Sequence, residues 1–357
     1  REESCREDML LRETKDLESC VNEENVMFLE DKKDELQSIR RKRTDGMILR
    51  SRARWIVEGE KSSKYFCSLE KRNFVEKAMP HIENDNGEII TDPDKIKNEA
   101  KFFYEHLYAS KETEIQDIDL SLIINGPKLS QEDRDTLEGT ITAKEALAAV
   151  QRMKNSKSPG SDGFTTEFYK FFWLDLGDFL LRSVNYAFQE GKMSITQRQG
   201  VITCIPKEGK QKRFLKNWRP ITLLNTAYKI ASACIAERLK CVLPSIIHED
   251  QKGFIAGRFI GENVRLLYDV LVHTEVNHLP GLLLLIDFEK AFDTIAWSFI
   301  DKALTFFNFG PDIKRWFKTF YTDINACVTV NGGYTPWFCI QRGVRQGDPS
   351  SPYLYLI

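Results

Sequence analysis

An aspartate closes the most apolar run of the chain: Leu282 to Ile286 are five aliphatic residues in succession, and Asp287 follows them directly. A carboxylate at the C-terminal edge of a buried strand would stand where a sheet opens toward a ligand. Two roles suit it. It can cap the helix that follows, or it can ligate Mg²⁺, which prefers carboxylate oxygens and leaves the rest of its shell to water and phosphate. Cations gather in two other places: Arg40 to Arg54 holds 7 bases and one acid, and Lys207 to Arg219 holds 6 bases and one acid. Between Arg52 and Asn73, the cations Arg52, Arg54, Lys61 and Lys64 interleave with Trp55, Tyr65 and Phe66, a mixture suited to a nucleic-acid backbone and its bases. The chain of 357 residues carries 51 bases against 53 acids, a net charge of -2, so the signal is segregation of charge rather than excess.

Other chemistries find less support. The 8 cysteines include no Cys-x-x-Cys pair, and no His cluster stands at metal-ligand spacing. That argues against a zinc site or disulfide framework and predicts a reducing, intracellular setting. No apolar run approaches the roughly 20 residues of a bilayer span, and no signal peptide is visible, so no membrane association is expected.

These residues must be held by a mixed set of elements. Apolar positions from Asp8 to about Arg43 recur at helical spacing, which predicts one long amphipathic helix. Glu83 to Ile90 reads as a hairpin around Asn86-Gly87, and a helix should begin near Asp92 and Pro93. Ile115 to Lys128 has the composition of a linker. Ser130 and Thr142 are placed to cap two further helices. Asn155 to Phe164 must be a loop, followed by a helical stretch, a strand "GVITCIPK", the basic loop Lys207 to Arg219, and a helix ending near Pro244. Leu282 to Ile286 has the length and composition of a strand buried on both faces. A hairpin through Asn331-Gly332-Gly333 then leads to a glycine-rich turn and a last helix.

From about Arg52 onward, the chain resembles a LINE-type, non-long-terminal-repeat retrotransposon reverse transcriptase. The resemblance rests on six motifs in the family's order: "SPGSDGF", "ITCIPKEGK", "NWRPITLLNTAYKI", "HEDQKGFIAGR", "LIDFEKAFDTI" and "GVRQGDPSSP". It implies an α/β (α+β) right-hand polymerase: a helical basic extension over 1–75, a helix-hairpin connector over 76–128, fingers over 129–275 and a partial palm over 276–357.

The implied activity is RNA-directed DNA synthesis, with an RNA template, a DNA primer or target, deoxynucleoside triphosphates and two Mg²⁺ ions. By the same resemblance, Asp287 is the first catalytic aspartate and a metal ligand, and the carbonyl of Phe288 completes one shell. Phe292 is the gate that excludes a ribose 2'-hydroxyl, and Asp293 is left with a structural hydrogen bond at the start of a helix. Lys207 and Arg219 grip the triphosphate; Gln346 and Gly347 line the nucleotide pocket; Gly160, Asp162, Gly163 and Arg258 meet the template.

The family's second metal-binding element is an Asp-Asp pair, and this sequence contains no such dipeptide. The chain also opens on Arg1 rather than Met and closes inside the apolar "SPYLYLI". It therefore reads as a fragment, inactive alone, lacking the upstream endonuclease of its relatives and, with an unpartnered strand, prone to aggregate. The intact parent would work in cytoplasm and nucleus. A catalytically dead RNA-binding remnant and a group II intron maturase-like protein are the competing readings.

Overall fold

The computed structural model describes residues 6, 9–14, 28–39, 78–84, 86–110 and 126–357. Two compact units divide the chain, Arg1–Ala78 and Met79–Ile357. In the first, helical backbone runs over 9–14 and 28–39, burying Leu10, Leu29 and Leu36. Arg6 meets Glu35 at 2.8 Å and Lys32 meets Glu13 at 2.8 Å. Residues 6 and 35 lie 29 positions apart, a distance of about 43 Å along a straight helix. The single long helix expected over Asp8 to Arg43 is therefore folded back on itself. The ion pairs are largely exposed and register this geometry more than they stabilise it. The basic-aromatic stretch Arg52 to Asn73 and most of the linker Ile115 to Lys128 lie outside the described residues.

The second unit is α+β. Strands β1 (Ile82–Glu83) and β2 (Ile89–Ile90) form the expected hairpin, turned at Gly87 with φ +81°. Helix α1 (Pro93–Tyr108) starts where expected because the Asp92 side chain accepts from the amides of Asp94 and Lys95, a cap worth about 1 kcal/mol. Its buried stripe is Ile96, Ala100, Tyr104 and Tyr108, at the four-residue spacing of one helix face.

Ser130 caps α2 (Gln131–Leu137), and Thr142 forms a reciprocal box with Glu145 at the start of α3 (Ala143–Arg152). The next helical stretch is interrupted at Phe172, giving α4 (Thr166–Phe171) and α5 (Trp173–Glu190), which Gly191 ends in the left-handed conformation. A single turn, α6 (Ile195–Arg198), leads into the sheet.

The sheet has five strands. β3 (Gln199–Pro206) is central, paired antiparallel with β4 (Trp218–Leu224) and parallel with β5 (Asn325–Val330). β6 (Gly333–Tyr334) and β7 (Phe338–Cys339) pair in turn with the two ends of β5. Between them, Thr335 keeps the ladder closed: its hydroxyl accepts from the Val328 amide at 2.9 Å.

Between β4 and β5 run five helices: α7 (Thr226–Ile246), α8 (Gly261–Val276), α9 (Ala291–Thr294), α10 (Trp297–Phe306) and α11 (Pro311–Tyr321). α12 (Ser351–Leu356) closes the order. α7 continues two residues past Pro244, within the margin by which helix ends vary. Arg219, expected in the basic loop, is already in β4. The core is densely aromatic, with Tyr104, Tyr228, Trp316 and Phe320 fully buried.

One expectation fails. Leu282 to Ile286 is not a buried strand: the segment has no regular structure, and Leu282 is 92% exposed. A strand is stable only when a neighbour takes its backbone hydrogen bonds, and no strand of the sheet pairs with this one. α8, which precedes it, buries none of its residues. Among the described residues no helix is long and apolar enough to cross a membrane.

Candidate active site

The glycine-rich turn docks on the outer edge of β4. The Thr222 amide, on the side of β4 away from β3, donates to the carbonyl of Gln346 at 2.7 Å. Gly347 follows with φ +119°, and a Cβ there would lie 2.5 Å from the Thr222 carbonyl oxygen. Only glycine allows this approach. Buried side chains pin the turn on both sides. Arg345 lays its guanidinium 4.2 Å from the centre of the Tyr228 ring. Asp348 accepts hydrogen bonds from Tyr228 (3.2 Å), Ser350 (3.0 Å), Ser351 (3.2 Å) and Ser232.

Behind the turn stands Asp293, in α9 and only 2% exposed. Its carboxylate accepts from the Tyr108 hydroxyl at 2.9 Å and from Gln346 Nε2 at 3.1 and 3.2 Å. Burial pushes its pKa up; the two hydrogen bonds and the charges of Lys290 and Lys207 pull against that shift. Phe292, the residue before it, stacks on Tyr355 of α12 with ring centres 4.7 Å apart. Its carbonyl accepts from Val344. Gln346, Gly347, Phe292 and Asp293 therefore share one neighbourhood, which the charge of Lys207 reaches. Arg219 is exposed on β4, opposite Ile205 of β3, two positions before Lys207.

The loop 157–164 folds onto the start of α7. Gly160 lies so close to Asn225 that a Cβ would meet its Oδ1 at 2.0 Å, and Gly163 turns the chain at φ +76°. Thr226 donates to the Phe164 carbonyl at 2.7 Å. Asp162 is half-buried, and that burial raises its pKa, with Lys229 opposing.

Residues 205–357 match the family model described as reverse transcriptase (RNA-dependent DNA polymerase). Across 91% of its length, the chain is 35% identical to a Xenopus laevis protein named transposon TX1 uncharacterized 149 kDa protein, covering 25% of it. Across 60% of its length it is 29% identical to the retrovirus-related Pol polyprotein from type-1 retrotransposable element R2 of Popillia japonica, covering 29% of that protein. A Drosophila melanogaster relative, the probable RNA-directed DNA polymerase from transposon BS, is 25% identical over 61% of the chain, which covers 24% of it. Residues 205–357 thus align with the reverse transcriptase family, and the relatives are proteins named for transposons and retrotransposable elements. The chain spans about a quarter of the length of these relatives.

None of the hydrogen bonds or ring contacts of this site brings in Asp287 or Phe288. Both are exposed and belong to the unpaired segment. Among the described residues, no group of three His, Cys, Asp or Glu side chains is placed to hold a metal ion. The two-metal arrangement implied by the family does not fit the carboxylates as they stand.

Arg258 uses its guanidinium on the carbonyls of His248 (2.6 Å), Ile247 (3.0 Å) and Gln251 (2.9 Å), tying off the end of α7. Two residues of the site escape sequence reasoning. Tyr108 meets Asp293 across 185 positions, a separation that no local pattern encodes. Thr222 contributes its backbone, which every residue type except proline supplies equally.

Proposed function

We propose that the intact protein containing this chain is an RNA-directed DNA polymerase that extends a primer 3'-hydroxyl with deoxynucleotides along an RNA template. The observation that carries this reading is the docking of the Gln346-Gly347 turn on β4, the strand that also carries Arg219, in a segment that matches the reverse transcriptase family. In this reading 129–275 act as fingers and 276–357 as part of the palm.

The chain's own residues divide the work. Lys207 offers a point charge and Arg219 a planar fork to the triphosphate of the incoming nucleotide. The Gln346-Gly347 turn brings backbone close to the nucleotide where a side chain would intrude. Phe292, held by its stack on Tyr355, presents a ring that a ribose 2'-hydroxyl would strike. The loop around Gly160, Asp162 and Gly163 at the start of α7 covers the template, and Arg258 steadies the opposite end of that helix.

Mg²⁺ is the ion that the family's chemistry would require. Asp287 is the residue of this chain assigned to it, and further carboxylates would be needed. Such a protein would act where its RNA and its target DNA meet, in cytoplasm and nucleus.

RNA-templated primer extension by the full natural protein, with Mg²⁺, tests the proposal. Incorporation that requires the RNA template supports it. A well-folded protein that binds RNA but extends nothing would favour the binding remnant instead.

A further inference from the structure

Helix α1 lies outside the residues matched to the reverse transcriptase family, yet its last turn is bound into the site at three points. The Tyr108 hydroxyl donates to Asp293 at 2.9 Å. The Tyr108 carbonyl accepts from the Gln341 amide at 2.9 Å, and the Leu107 carbonyl accepts from Arg342 Nε at 2.8 Å. Gln341 and Arg342 open the segment that leads into the glycine-rich turn. Tyr108 is 5% exposed and Asp293 2% exposed, so the bond between them is shielded from bulk solvent.

An ionised carboxylate only accepts, so the end of Gln346 that faces Asp293 must be its NH₂ group. That fixes which way the carboxamide is flipped and leaves Oε1 as its free acceptor. The Asp293 carboxylate can hold this orientation only while its own rotamer is held, and among the described residues its other side-chain donor is Tyr108. Burial of Asp293 makes each of these bonds worth more than it would be in water.

We propose that Tyr108, acting through Asp293, is a positioning residue for Gln346, so that helix α1 completes the nucleotide pocket from outside the family-matched segment. The inference rests on reading Gln346 as a pocket residue of a polymerase.

Single-nucleotide incorporation kinetics on the full natural protein test it, comparing wild type with Tyr108→Phe, Gln346→Ala and the double variant. Phe keeps the ring and removes only the donor. The expected result is a KM for deoxynucleotide raised roughly tenfold in Tyr108→Phe, with kcat within about twofold. The double variant should be no worse than Gln346→Ala alone, because both changes break one connection. A purely structural Tyr108 would lower the folded fraction and the apparent kcat while leaving KM unchanged.

Unchanged KM in an active Tyr108→Phe protein, or single effects that multiply in the double variant, would overturn this inference and leave the polymerase reading standing. Wild-type protein that incorporates nothing would overturn both. Amide exchange at Thr222, whose N–H is held by the Gln346 carbonyl, reads the same coupling without turnover. It should quicken in Tyr108→Phe, and an unaltered rate would count against the connection.

Discussion

Phe292 has two duties that a substitution would separate. As the proposed gate it sets the choice of sugar; as a half-buried ring stacked at 4.7 Å on Tyr355 it also anchors α9 to α12. Phe292→Val should raise ribonucleotide incorporation relative to deoxynucleotide by at least about tenfold, equivalent to about 1.4 kcal/mol. It should also lose about 1 kcal/mol of stability with the stacked pair. Competition kinetics read the first effect and urea denaturation the second. Unaltered sugar discrimination together with lost stability would make Phe292 a packing residue only. Asp293, one position on, was legible in the sequence as a structural hydrogen-bonding group at a helix start. Its partners were not, because Tyr108 and Gln346 come from distant parts of the chain.

Elements whose signals are local were read correctly from the sequence. The Asp92, Ser130 and Thr142 caps, the Asn86-Gly87 hairpin and the Asn331-Gly332-Gly333 turn each depend on a few adjacent residues whose chemistry acts within one turn. Two elements misled for lack of such signals. The long helix over Asp8 to Arg43 has the right periodicity, but periodicity says nothing of where a helix folds back, and the 6–35 and 13–32 pairings require that it does. Leu282 to Ile286 has a strand's composition, but a strand exists only through a partner, which composition does not supply.

The glycine-rich turn was legible as a turn. That Gly347 must approach a strand edge became visible only with Thr222 beside it. Gly347→Ala would set a Cβ against the Thr222 carbonyl at a φ of +119°, and the strain should cost roughly 1–3 kcal/mol. A midpoint in urea equal to that of wild type would mean that the turn does not dock on β4 as described.

At the scale of the whole molecule, the contrast is between a dense core and two successive apolar segments left exposed. Trp316, Tyr104, Tyr228 and Phe320 are fully buried, whereas the α8 helix and the segment 282–288 present Val264, Leu266, Leu284, Leu285, Ile286 and Phe288 to solvent. An apolar surface of this extent favours self-association. Replacing Leu283 and Leu285 by Ser should reduce concentration-dependent light scattering of the chain while leaving its stability within about 0.5 kcal/mol. A clearly lowered melting temperature would mean that these leucines are buried in solution.

Asp287 lies in that exposed segment, and the polymerase reading depends on it. The decisive measurement is RNA-templated primer extension by the full natural protein, wild type against Asp287→Ala, with Mg²⁺ present. Template-dependent incorporation that falls to background in the variant is the predicted result. Incorporation indifferent to Asp287, or none from a well-folded wild type, would contradict the polymerase reading and leave this aspartate an ordinary exposed residue of a nucleic-acid-binding chain.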